Sequence, residues 1–487
     1  MNIIKQYKID LMLIAALVVL SSVLVFTKLG TKELQDWDEG LYANIAGEMV
    51  QSGDYMHLNL QDDTWLEKEP LPFWLEALSI RVFGFNTFAL RFPAAILSIF
   101  IAPLIYLIAR KRLDKLWSFF ASTLFLLSPM IWFPHMIRTA DFDMLSLSLF
   151  LAGLVSYLYG RNKKWWWIAA VFLGLGLMSR GVMGILYLIL IVIAELIRPF
   201  FELQKWHFKR MFVFLISSLV PWLIWHIYLL ITYTNTYIGV YWKEQFFTRI
   251  SDPLQGHAGS LSFYINFIYQ ESGWILIACF FFGVISTVYL LMKQKNWYYA
   301  FLLLWIATTC TPPHILTTKL EWYILPALPA LYISILTIPH TLKILITNKK
   351  IQRITLGILA VLFLIYTCIL IRDTSQTIKN IEETPTQIFL NTISHHVPQN
   401  QSIVLYGVQN WNHGRTLPAF YWYLHYEQNL DILSINKPNI EYYLARREVH
   451  PWWIITKELL LDIEGTPHTI TSENQDYLLL YVAPDTK

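Results

Sequence analysis

Asp36-Trp37-Asp38-Glu39-Gly40-Leu41-Tyr42 follows the first long apolar run of the chain, and Trp65-Leu66-Glu67-Lys68-Glu69-Pro70-Leu71 comes soon after it. Charges packed this densely between two apolar runs are costly unless they line a water-filled, functional surface. The rest of the chain says what kind of surface. Of 487 residues, 55% are hydrophobic and 15% charged, and the mean hydropathy is +0.44. A soluble domain carries roughly 25% charged residues, so the solvent of this chain is lipid. The net charge of +3 is near neutral for this size and argues against a nucleic-acid partner. Cys279, Cys310 and Cys368 all sit in apolar runs. Their odd number and wide spacing give neither a disulfide framework nor a metal motif.

A helix needs about 20 apolar residues to cross a bilayer. The runs at 9–29, 88–109, 116–134, 142–160, 165–179, 181–197, 211–233, 273–292, 297–313, 322–340 and 353–371 give about 11 spans, within a range of about 10–13, because two are short and one is ambiguous. Basic loop residues set the orientation. With Lys5 and Lys8 cytoplasmic, every second loop is basic: Arg110 to Lys115, Arg161 to Lys164, Arg198 to Arg210, Lys293 with Lys295, and Lys343 to Arg353. The opposite loops hold Asp36, Asp38, Glu39, Glu67, Glu69, Asp141, Asp143, Glu244 and Asp252. This expectation makes the protein a multi-pass inner (plasma) membrane protein whose acidic loops and C-terminal segment are extracytoplasmic.

Residues 373–487 change character. Strand-like runs at 402–406, 452–455 and 477–482 alternate with helix-like stretches at 388–397 and 440–447, which predicts a small α/β domain. The expected division is therefore 1–372, a transmembrane domain, and 373–487, an extracytoplasmic one. Within the first outer loop, Leu41, Ile45 and Met49 recur every four residues opposite Asn44 and Glu48. That predicts a helix lying in the membrane interface. Leu71 to Phe83, with prolines at its start and Gly84 after its end, predicts a second. Both acidic clusters then sit at helix starts, where exposed N–H groups favour anions such as phosphate. Plain N-capping is the simpler alternative.

These residues carry a resemblance. Asp38-Glu39-Gly40-Leu41-Tyr42-Ala43-Asn44-Ile45-Ala46 resembles the Asp-Glu-x-x-Tyr-Ala-x-x-Ala signature of GT-C fold membrane glycosyltransferases. Within them the chain is similar to the bacterial aminoarabinose transferase and protein mannosyltransferase-like branch. Glu67-Lys68-Glu69-Pro70-Leu71 resembles its Glu-Lys-Pro-Pro-Leu motif, with Glu69 in place of the first proline. Arg91-Phe92-Pro93, Asp143-Met144-Leu145, His257 before Phe263-Tyr264, and Lys319-Leu320-Glu321-Trp322-Tyr323-Ile324-Leu325-Pro326 follow in the family's order.

The resemblance implies transfer of a sugar from a polyprenyl-phosphate donor, usually undecaprenyl phosphate in bacteria, at the outer membrane face. The acceptor is a lipid, protein or glycan, and the anomeric centre inverts. One displacement with a phosphate leaving group needs a single base, unlike the paired carboxylates of glycoside hydrolases. Asp38 is the candidate base, with Asp36 and Glu39 as competitors. Asp143 positions the acceptor or braces the loop, and Asp141 is its rival, with Arg138 a partner for either. Lys68 is the candidate for the donor phosphate; the bland alternative is an ion pair with Glu67 or Glu69. Arg249 and Lys319 complete a phosphate clamp, although Arg249 equally suits snorkelling to headgroups. Tyr323 donates to phosphate or joins the aromatic belt. Arg180 is a weaker phosphate candidate. The family implies a divalent metal, zinc, at Glu67 and His257; on residue type alone His257 is an ordinary loop histidine, and two ligands are few. His226, deep in a span, reads as a core histidine. In the C-terminal domain Asn412, His413 and Arg415 are candidates for acceptor selection, or a plain turn.

A polyprenyl-lipid transporter or flippase is the rival class. Transporters place ionisable groups near the midplane and often repeat their halves. Here the charges gather at one face, and no repeat is evident.

Overall fold

The structure, a computed structural model, describes residues 2–35, 37–61, 63–132, 135–160, 164–202, 207–253, 256–408 and 417–483. Among them, eight helices are long and apolar enough to cross a membrane: Tyr7–Phe26, Thr87–Ala109, Phe142–Gly160, Gly181–Phe200, Phe208–Thr248, Phe263–Gln294, Glu321–Leu345 and Lys349–Lys379. The other three apolar runs are also helical but less suited to span alone. Lys115–Leu126 and Trp167–Leu177 are short, and Trp297–Ile315 ends in Pro312 and Pro313. The protein is an all-α, multi-pass membrane protein with a small C-terminal sheet domain. The chain divides into two compact units, each described here by itself.

The first unit comprises Met1–Thr27, Leu66–Pro72 and Pro93–Lys379. Small residues let its helices pack closely, as expected where lipid supplies no hydrophobic drive between helices. A Cβ on Gly176 would lie 2.2 Å from the ring of Phe150, and one on Gly283 would lie 2.6 Å from the backbone of Ile335. At the basic end, Asp10 accepts from Tyr106 at 2.6 Å and from Arg110 at 2.7 Å, with Lys115 at 3.1 Å. This knot ties the first helix to the hairpin after it. Phe208–Thr248 is not uniform: Thr234 breaks it at φ 40°, and Ile238–Thr248 continues as a wider π-helix.

The second unit comprises Lys28–Trp65, Phe73–Phe92 and Asn380–Lys487. The expected boundary at 372/373 falls inside the helix Lys349–Lys379. The helix Asp38–Ser52 forms as expected and ends at Gly53, whose φ of 74° and N–H to Met49 O (3.1 Å) make an αL cap. Its environment differs from that of an interfacial helix. Tyr42, Ala43, Asn44, Ile45, Ala46, Gly47 and Met49 are all buried, and Asn44 Nδ2 donates to Gly40 O and to Pro418 O, both at 2.9 Å. The polar face is thus covered by Pro418–Tyr421 instead of water. A short antiparallel hairpin follows, β1 (Asn59–Leu60) with β2 (Asp63–Thr64).

The C-terminal sheet has five strands: β3 (Ser402–Tyr406), β4 (Asp431–Ile435), β5 (Trp452–Thr456), β6 (His468–Glu473) and β7 (Tyr477–Val482), in the order β4-β3-β5-β7-β6. β3 pairs parallel with β4 and β5, while β7 runs antiparallel to β5 and β6. The predicted strands are the three central ones. The two missed, β4 and β6, are the edges, whose mixed polar sequences suit half-exposed strands. Val404, Tyr406, Trp453, Ile455, Leu478 and Leu480 form one core of the sheet.

Candidate active site

In the second unit, the acidic cluster resolves into different environments. Asp38 opens its helix and is half-buried; among the described residues its carboxylate has no hydrogen-bond or ion-pair partner. Glu39, one residue on, is fully buried. Arg91 grips it with two bonds, Nε to Oε1 at 2.7 Å and Nη2 to Oε2 at 2.9 Å, and Gln35 N–H adds a third at 3.1 Å. The remaining Arg91 donors reach the carbonyls of Leu29, Lys32 and Glu33. A bidentate pair of this kind is strong and directional. Arg91 thus draws the loop before Asp38 around one buried carboxylate. Glu39 is a structural anchor in this geometry, which leaves Asp38 the open acid. Asp36 lies outside the described residues.

In the first unit, the Glu67-Lys68-Glu69 segment is fastened on both sides of its lysine. Glu67 Oε2 accepts from Gln245 Nε2 at 2.8 Å. Glu69, 2% exposed, accepts from Tyr241 Oη at 2.5 Å and Trp222 Nε1 at 3.2 Å. Tyr241 and Gln245 are four residues apart on one helix, so both carboxylates lean on neighbouring positions of it. Lys68 between them is half-buried. His226 Nε2 stands 3.8 Å from Glu69 Oε1, and its Nδ1 meets Tyr237 Oη. His226 is therefore a buried core histidine as read from the sequence, but among the described residues its Nε2 has no hydrogen-bond partner, and it belongs to a polar cluster that local pattern did not show. A Cβ on Gly181 would lie 2.4 Å from Glu69 Oε1 and from Trp222 Nε1, so only glycine leaves room for this cluster.

A second group in the same unit joins Asp143, Arg180 and Tyr323. Arg180 pairs with the buried Asp143, and its guanidinium lies 6.0 Å from the centre of the Tyr323 ring. Asp141 is also buried and meets His135 Nδ1 at 3.2 Å. Arg138 donates to the carbonyls of Leu24, Val25 and Thr27, capping the end of the first helix.

Lys319 is placed differently from a phosphate clamp. It is buried and donates to Pro313 O at 2.9 Å and His314 O at 2.6 Å, at the end of the helix Trp297–Ile315. Cations are favoured at helix C-termini, and burial lowers the Lys319 ammonium below its ordinary value. Its backbone N–H bonds His257 O at 2.9 Å, while the His257 side chain is exposed. The Arg249 side chain and the residues Asn412, His413 and Arg415 lie outside the described residues. Glu67 and His257 offer two metal ligands, and among the described residues neither joins a group of three or more His, Cys, Asp or Glu ligands. A catalytic zinc takes about three protein ligands and an open position, so this pair does not make a complete zinc site.

Residues 67–225 match the family model described as dolichyl-phosphate-mannose-protein mannosyltransferase. The structure overlays that of ArnT from Cupriavidus metallidurans bound to undecaprenyl phosphate, with TM-score 0.68, 15% identity and coverage of 98% of this chain and 100% of the other. The chain therefore shares the fold of ArnT, and its residues 67–225 are similar to the mannosyltransferase family. A second structural neighbour is the archaeal oligosaccharyltransferase AglB of Archaeoglobus fulgidus, with TM-score 0.57, 13% identity and 94% and 70% coverage. At the sequence level the chain is 25% identical over 324 residues to an uncharacterised protein of Aquifex aeolicus, covering 64% of this chain and 60% of the relative. It is 26% identical over 203 residues to the undecaprenyl phosphate-alpha-4-amino-4-deoxy-L-arabinose arabinosyl transferase of Shewanella sediminis, covering 40% and 37%. The chain thus spans less than two thirds of the length of these curated relatives.

Proposed function

We propose that the protein transfers a sugar from a polyprenyl-phosphate donor to a lipid, protein or glycan acceptor at the outer membrane face, with inversion and with Asp38 as the base. The observation that carries this reading is the division of labour between adjacent acids: Arg91 consumes the charge of Glu39 and holds the helix start, while Asp38 stays half-buried and open. One positioned carboxylate suffices for a single displacement. Undecaprenyl phosphate in the ArnT neighbour and dolichol-phosphate in the AglB neighbour support the donor class.

Lys68 meets the departing phosphate as a compact cation, held in place by the bonds of Glu67 and Glu69. Arg249 and Tyr323 are assigned to the same phosphate, Arg180 orients Asp143 and Tyr323, and Asp143 orients the acceptor. Lys319 braces the loop that carries His257. No step is assigned to a metal, because Glu67 and His257 supply only two ligands. The acidic loops and the C-terminal sheet face outward in this reading, as the alternation of basic loops requires.

The flippase reading lacks support from the matched family model and the Shewanella sediminis relative, whose names describe transferases. The test is a panel of undecaprenyl-phosphate sugars given to purified protein with lipid, peptide and glycan acceptors. Release of undecaprenyl phosphate together with an inverted glycoside supports transfer. Translocation of intact donor across proteoliposomes without cleavage would replace it with transport.

A further inference from the structure

A cleft at the basic ends of three helices, Phe142–Gly160, Gly181–Ile197 and Phe208–Tyr237, forms a cavity of about 50 Å3, open on one side. It lies wholly within the first unit and shares no residue with the candidate active site. Its polar end is built from Arg198, Arg210, Glu195 and Tyr157. Arg198 is 3% exposed. Its Nη2 bonds Glu195 Oε2 at 2.9 Å, but among the described residues its buried Nε–H has no acceptor. Tyr157 Oη takes the other oxygen of Glu195, so that carboxylate is fully engaged. Arg210 lies 5.2 Å from the centre of the Trp166 ring, which sets its guanidinium at the rim.

A guanidinium N–H buried without an acceptor is a costly arrangement. The lining carries two arginines and one carboxylate. The lining also includes the apolar side chains of Ile191, Met211 and Phe214, and Phe200, Phe208 and Phe212 nearby in the chain are exposed. Arginines beside apolar side chains, at the end of membrane-spanning helices, suit a ligand with a phosphate head and hydrocarbon chains.

We propose that this cleft is a binding site for an anionic phospholipid of the cytoplasmic leaflet. Its phosphate accepts from Arg198 Nε and Arg210, and an acyl chain runs along Ile191, Met211 and Phe214. The site would fasten the ends of the three helices.

The test is lipid retention. The full-length protein is placed in nanodiscs of equal parts phosphatidylcholine and phosphatidylglycerol, then extracted, and the lipids that stay bound are counted by native mass spectrometry. The wild type is expected to keep phosphatidylglycerol over phosphatidylcholine, and Arg210→Gln to lower that preference about fivefold. Arg198→Gln should lower it further; if that variant fails to fold, Arg210→Gln alone decides. No preference in the wild type, or one unchanged in Arg210→Gln, would overturn the proposal. Displacement of the lipid by millimolar inorganic phosphate would overturn the lipid assignment in favour of a free-anion site. The readout needs no sugar transfer, so it stands or falls separately from the proposed activity.

Discussion

Tyr241 Oη lies 2.5 Å from Glu69 Oε1, and both side chains are buried. This bond joins the residue after the candidate phosphate lysine to the helix Ile238–Thr248. Tyr241→Phe leaves the carboxylate with one donor fewer. Losing a partner of a buried charged group costs about 1–3 kcal/mol, seen as a lower unfolding midpoint in detergent. Because Lys68 loses one of its two flanking fastenings, the KM for the polyprenyl donor should rise more than kcat falls. Glu69→Gln, which keeps an acceptor oxygen, should be milder than Glu69→Ala.

Gly181→Ala should reproduce the Tyr241→Phe defect without touching a polar group. The added Cβ would meet Glu69 Oε1 and Trp222 Nε1 at 2.4 Å, so one of the two must move. Overpacking of this size costs about 1–3 kcal/mol. Donor KM and unfolding midpoint, measured together, should shift in the same direction as in Tyr241→Phe.

Removing Arg91 should be severe. Arg91→Gln strands Glu39 as a fully buried charge, and breaking a buried pair costs about 3–5 kcal/mol. The expected result is poor accumulation of folded protein. Replacing both partners by residues of similar shape, Glu39→Gln with Arg91→Met, should recover part of the stability but not the position of Asp38. Thermal unfolding and transfer activity on the same preparations separate the two effects.

Glu427 makes the second unit sensitive to pH. Burial pushes its carboxyl up to about 7, against smaller opposing effects of the Trp422 indole N–H at 2.8 Å and the Thr87 backbone N–H. The folded state therefore holds a proton that the unfolded chain, titrating near 4.5, has released. Stability from this group is full below about 4.5 and is lost as pH rises towards 7, amounting to a few kcal/mol. Hydrogen exchange of residues 417–483 should quicken over that window in the wild type. Glu427→Gln should flatten the dependence.

The eleven apolar segments were legible because a membrane span is written locally, in length and hydropathy. The three central strands of the C-terminal sheet were legible for the same reason, since buried strands are continuously apolar. Edge strands β4 and β6 were not, because half-exposed strands carry polar residues that read as loop. The candidate acids were visible as a charge cluster, but their roles were not. Glu39 and Asp38 differ only in that Arg91, 52 residues away, reaches one of them. Likewise Glu69 reads as a surface charge until Trp222 and Tyr241 arrive from residues more than 150 positions on. Lys319 matched a family motif, yet its ammonium is spent on helix-end carbonyls, a capping role that spacing alone does not reveal. Arg180 did leave a signal, as the lone charge between two apolar runs, and its partner Asp143 shows why it is there.

The account turns on Asp38. Purified wild type and Asp38→Asn, both shown folded and both binding undecaprenyl phosphate, should be compared for transfer from a radiolabelled undecaprenyl-phosphate sugar. The prediction is robust transfer by the wild type and a loss of at least about a hundredfold in kcat for the variant, with donor affinity preserved. Equal rates in the two proteins would contradict the assignment and move the base to another acid.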